Sequence, residues 1–130
     1  MNKFTFKQFN ANPKGKKASD CVLRAISVAN NKSWEQTLKE MTELSLKTGY
    51  VFNEKNGYEK YLKNNGWAKC KMPKKSDNTK YTIKEFVERL AKNNQTYIIS
   101  VCGHLTVVKN LELIDTWNCC NYNVGNFYTK

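Results

Sequence analysis

The chain has one histidine, two prolines and, among 22 basic residues, only two arginines, Arg24 and Arg89. One histidine is too few for a classical zinc site, and no Cys-x-x-Cys pair makes up for it. The five cysteines are odd in number and include the adjacent pair Cys119–Cys120, which is not the spacing of a disulfide framework. The sequence therefore predicts no structural metal, no cofactor and no disulfides. No apolar run approaches the roughly 18 residues of a membrane span, and no signal-peptide core opens the chain. A cytoplasmic protein without a membrane partner is the expectation.

What is present suits one globular domain over residues 1–130: 40% hydrophobic and 12% aromatic residues. The net charge of +11 invites a nucleic-acid partner. Base-reading surfaces favour arginine, however, and an even lysine surface accounts for the charge as well. Nucleic acid is thus not the favoured partner.

Residues 1–18 read as a basic arm, with a loop at Asn12-Pro13 and Phe4, Phe6 and Phe9 as anchors. A helix should start at Cys21 and run to about Asn30, capped by Ser19 or Asp20, with Val22, Ala25, Ile26 and Ala29 on one stripe. Capping boxes at Ser33–Gln36 and Thr82–Glu85 open two further helices, stopping near Gly49 and Asn93. Another is expected from about Asn53 to Asn65. Residues 68–80 read as a mobile basic loop. Strand runs follow at 97–101, 105–108, 111–114 and 121–128. Helices first and an antiparallel sheet after is the α+β pattern.

Chemistry concentrates at three positions. Cys21 falls in the first turn of its helix, where free backbone N–H groups and the helix dipole favour a thiolate. His104 opens a strand, and Asp115 ends the next. A two-residue turn at Lys109-Asn110 places these two directly opposite each other. A turn at Asn110-Leu111 places Asp115 opposite Thr106 and diagonal to His104. Both turns keep the side chains on one sheet face, whereas a three-residue loop would separate them. A nucleophile, a base and a carboxylate that orients the base form a thiol-catalysis set. Arg24 is placed to pair with Asp20 at i, i+4, offsetting the negative charge beside Cys21.

Asp-Cys-Val-Leu-Arg-Ala at 20–25, Gly-His-Leu-Thr-Val-Val at 103–108 and Ile-Asp-Thr-Trp at 114–117 together resemble the papain-like cysteine peptidase superfamily, in particular small uncharacterised members from phages and low-GC bacteria. The resemblance implies a papain-like fold, with the cysteine helix packed on a C-terminal antiparallel sheet. It implies Cys21 as nucleophile, His104 as base and Asp115 as the orienting residue. Trp117 resembles the aromatic that shields the His–carboxylate bond, with an ordinary core tryptophan as the competing account. The superfamily's oxyanion-hole glutamine lies six residues before the cysteine, where this chain has Gly15. The Cys21 N–H with an amide from Asn10 or Asn12 is the substitute the sequence offers. The expected function is thiol hydrolysis or acyl transfer on a peptide, isopeptide or amide bond of a protein or peptide substrate. The alternative is a non-catalytic basic binding protein on the same scaffold, contacting nucleic acid or an acidic protein, as a phage-borne modulator of a host system.

Overall fold

A computed structural model describes residues 1–130. Its elements run β1 (Thr5–Gln8), α1 (Cys21–Asn30), α2 (Trp34–Thr48), α3 (Lys55–Asn64), β2 (Ala68–Cys70), α4 (Ile83–Arg89), β3 (Thr96–Val101), β4 (His104–Lys109), β5 (Glu112–Asp115) and β6 (Phe127–Thr129). The strands form one six-stranded sheet in the order β1-β5-β4-β3-β6-β2. No helix is long and apolar enough to cross a membrane.

The helix boundaries follow local chemistry. Ser33 accepts the Gln36 N–H at the start of α2, and Gly49 ends it with a left-handed φ of 82°. Thr82 and Glu85 close a full capping box on α4. That helix stops at Arg89 rather than near Asn93, and Leu90 just past its end is 41% exposed.

Alternation along β3 and β4 divides the interior in two. Ile98, Leu105 and Val107 meet Val22, Ala25 and Ile26 of α1 on one face of the sheet. Ile99, Val101 and Val108 meet Phe86 and Val87 of α4 on the other. This is the period-two division expected of a sheet covered on both sides. The cysteine helix therefore packs on the sheet, as the apolar stripe of α1 requires.

The sheet itself is mixed rather than purely C-terminal and antiparallel. The expected N-terminal arm supplies β1, which pairs parallel to β5 with Gln8 beside Asp115. The expected mobile loop supplies β2, antiparallel to β6, and a Lys74–Lys80 bridge. Both are short edge strands rich in polar residues, so their hydrophobic pattern is weak.

Two tight hairpins fix the ends of β4. Cys102 and Gly103 join β3 to β4 with φ of 34° and 74°, and Asn110 and Leu111 join β4 to β5 with φ of 52° and 68°. Positive φ at both central residues is the type I′ pattern, whose twist matches that of the paired strands. Val108 pairs with Leu113 and Val107 with Ile114. Of the two registers open to the sequence, this is the one with the turn at Asn110-Leu111.

Candidate active site

Cys21 is the first residue of α1, half-buried against the core. Asp20 occupies the cap position, but its side chain makes no capping hydrogen bond. Its buried carboxylate instead accepts from the Arg24 guanidinium, from Trp34 Nε1 at 3.0 Å and from Asn12 Nδ2 at 3.2 Å. The charge beside Cys21 is thereby offset, and the first-turn N–H groups have no side-chain cap. Burial pushes the Cys21 thiol up. The hydrogen bond to His104, the Leu105 N–H and the charges of His104 and Arg24 more than reverse this, so its pKa lies below the ordinary thiol value.

His104 starts β4 directly after the Cys102-Gly103 turn. Its Nε2 lies 2.7 Å from Asp115 Oδ2, which leaves Nδ1 as the nitrogen free for the thiol. Asp115 is itself held in place. Thr106 Oγ1 donates to the same Oδ2 at 2.6 Å, and the Thr116 N–H donates to Oδ1 at 2.6 Å. Arg24 Nη2 stands 3.7 Å from Oδ1, so this one guanidinium bridges Asp20 and Asp115. Burial raises the Asp115 carboxyl, but the bonds from His104 and Thr106 outweigh it and hold its pKa below the usual range. For His104, burial lowers the imidazole pKa. Asp115, Cys119 and Cys21 raise it by more, and the net shift is upward.

Trp117 is 41% exposed, so it is not a core tryptophan. Its ring centroid lies 5.3 Å from that of His104 at 51°, and Tyr122 packs edge-on against its other side at 5.3 Å. The tryptophan thus packs against the histidine ring at the mouth of the site. In front of Cys21 and His104 lies a cleft of about 510 Å³, whose far wall carries Asn53, Lys55 and Tyr58. That wall is held close by Gly57, where a Cβ would stand 2.1 Å from the Val51 carbonyl oxygen.

The two asparagines expected to serve an oxyanion have their amides engaged elsewhere. Asn10 Nδ2 donates to the Lys16 carbonyl at 3.2 Å, and Asn12 Nδ2 donates to Asp20. These bonds shape the 10–16 loop and the Asp20 site. This leaves the backbone N–H of Cys21, free by its position in the first turn, as the donor at hand.

Residues that the sequence did not single out complete the site. Thr106 was placed opposite Asp115 by one of the two registers. Trp34 and Tyr58 gave no local signal because the residues they meet lie on other elements, and Thr116 acts on Asp115 chiefly through its own backbone N–H, which any residue would supply. Cys119, fully buried, joins His104 and Asp115 in a group whose ligand atoms all lie within 4.8 Å of one another. This set of nitrogen, oxygen and sulfur donors suits a divalent ion of the zinc type. Neither a scan of protein-family models nor searches of curated proteins and of solved structures found a match for the chain.

Proposed function

We propose that the protein is a thiol hydrolase or acyltransferase of papain-like type, acting on a peptide, isopeptide or amide bond. The observation that carries this reading is the 2.7 Å His104–Asp115 bond beside a helix-start cysteine whose pKa is depressed. The cysteine helix lying on the sheet agrees with the resemblance.

In this mechanism Cys21 Sγ, as thiolate, attacks the acyl carbon. The carbonyl π electrons move to oxygen, and the oxyanion faces the Cys21 N–H. His104, protonated at Nδ1, gives that proton to the leaving amine as the C–N bond breaks, and a thioester remains. Neutral His104 then takes a proton from water, or from an acceptor amine, as that group attacks the thioester and releases the thiolate. Asp115 holds the ring orientation and stabilises the imidazolium.

Iodoacetamide labelling with peptide mapping tests the reading. Cys21 is expected to alkylate faster than Cys70, Cys102, Cys119 and Cys120, and His104→Ala is expected to remove that advantage. Equal labelling of Cys21 and exposed Cys102 in the wild type would overturn it. The basic binding protein, which the net charge of +11 favours, would then be the better account.

A further inference from the structure

We infer that the two adjoining cavities at the Cys21 end of α1 take an extended acidic peptide segment, held by Lys16 and Lys17 in one and by Lys55 in the other. The choice of a peptide over another polyanion rests on the proposed thiol mechanism, whereas the preference for negative charge does not. The cleft of about 510 Å³ that holds Cys21 and His104 is one of two neighbouring cavities. The other, of about 760 Å³, shares Ala18, Ser19, Arg24 and Trp117 with it. The two cavities therefore adjoin along these four residues, and one of the two holds the thiol. A terminal amide or a small acyl group needs only one cavity, whereas a chain that runs through the site needs both.

Charge selects the chain. No aspartate or glutamate lines either cavity. Arg24 is neutralised by Asp20 and Asp115. Lys16 and Lys17 in the larger cavity and Lys55 in the smaller are exposed, and none forms an ion pair. By contrast Lys32, Lys69 and Lys75 each hold a glutamate. A groove lined by one sign of charge concentrates ligands of the other. A nucleic acid would meet the same field but offers the thiol no acyl carbon, so the observations favour a peptide.

The test is fluorescence anisotropy of a fluorescein-labelled hexapeptide with four glutamates around a central Gly-Gly, of its lysine counterpart and of a labelled single-stranded oligonucleotide. Binding is read without any thiol reaction, so failure of the thiol mechanism leaves this result intact. The acidic peptide is expected to bind about tenfold tighter than the lysine peptide at low salt, with the difference shrinking as salt rises. Lys16→Glu/Lys17→Glu/Lys55→Glu should reverse the preference. The matching glutamine triple, which adds no repulsion, should abolish it. Saturating acidic peptide should slow Cys21 alkylation in the wild type. Equal binding of the acidic peptide to wild type and both triple variants would overturn the proposal. So would tighter binding of the oligonucleotide through the same three lysines.

Discussion

Asp115 stands opposite Thr106, one step further along the register of Val107 with Ile114, yet its Oδ2 accepts hydrogen bonds from both Thr106 and the diagonal His104. The threonine fixes the carboxylate, and the carboxylate fixes the ring. His104→Ala should therefore slow Cys21 alkylation about a hundredfold, within the range for loss of a positioned base. Asp115→Asn should cost less, about tenfold, because an amide oxygen can still accept from the ring but stabilises the imidazolium poorly. Second-order rates with iodoacetamide decide the order. Equal losses in the two variants would mean that Asp115 supplies the whole effect of His104.

The pH profile follows from the two shifts. The Cys21 thiol loses its proton at a lower pH than a free thiol, and His104 keeps its proton to a higher pH than a free imidazole. The thiolate–imidazolium pair therefore spans the interval between them, and alkylation should rise with an inflection below about 8.5. Stability has a different profile. The depressed Asp115 carboxyl contributes above its unfolded value of about 3.9, and the contribution is lost as pH falls through the folded value. The raised His104 contributes fully below about 6.5, and its contribution is lost only as pH climbs through its folded value. Urea midpoints of wild type and Asp115→Asn should converge as the pH drops below about 4. A gap that does not narrow at all as the pH falls below about 4 would show that the Asp115 contribution is not electrostatic.

Much of the fold around this site is legible in the sequence, for identifiable reasons. The α1 stripe and the capping residues Ser33, Thr82 and Glu85 are local signals, and the structure follows them. The His104–Asp115 relation needed only a turn length, because strand parity does the rest. What escaped depends on distance along the chain. The parallel pairing of β1 with β5 joins residues more than a hundred positions apart and carries no local mark. Trp34 on Asp20 and Cys119 beside His104 are contacts of the same kind. Asn10 and Asn12 were assigned to an oxyanion by sequence proximity alone, whereas the Asn10 amide donates to Lys16 within its loop and the Asn12 amide to Asp20.

Asp20 shows how much of the site is structural support. Its carboxylate accepts from Arg24, Trp34 and Asn12 in a buried position. Asp20→Ala would leave these donors unpaired and the Arg24 charge half-compensated. A loss of about 3 kcal/mol is expected in urea unfolding, the scale for breaking one side of a buried pair. Asp20→Asn, which can still accept from Trp34, should lose less. A loss under about 0.5 kcal/mol for Asp20→Ala would place it with ordinary surface substitutions.

The β3–β4 turn offers a change in the other direction. Cys102 is exposed and holds a φ of 34°, followed by Gly103 at 74°. Asn-Gly is the preferred pair for this turn type, and asparagine tolerates a left-handed backbone better than cysteine. Cys102→Asn should stabilise the protein by about 0.5–1 kcal/mol without altering Cys21 alkylation. Thermal unfolding would read this as a higher Tm. An unchanged or lower Tm would mean that the turn carries no strain for asparagine to relieve.

The grouping of His104, Asp115 and Cys119 leads to a prediction about zinc. A zinc ion held there takes a neutral imidazole nitrogen, a carboxylate oxygen and a thiolate. Asp115 Oδ2 is already shared by His104 and Thr106, so the ion must displace at least one of these hydrogen bonds. With zinc on its ring nitrogen, His104 stays neutral and can no longer hold the imidazolium proton for Cys21. Added zinc should therefore slow Cys21 alkylation, and a chelator should restore it. Zinc could also act on the Cys21 thiol directly, and Cys119→Ala separates the two routes. If the buried group is responsible, the variant keeps its reactivity without zinc and resists inhibition with it. If Cys119→Ala is inhibited as strongly as the wild type, the ion acts at Cys21 and the three-residue group holds no metal.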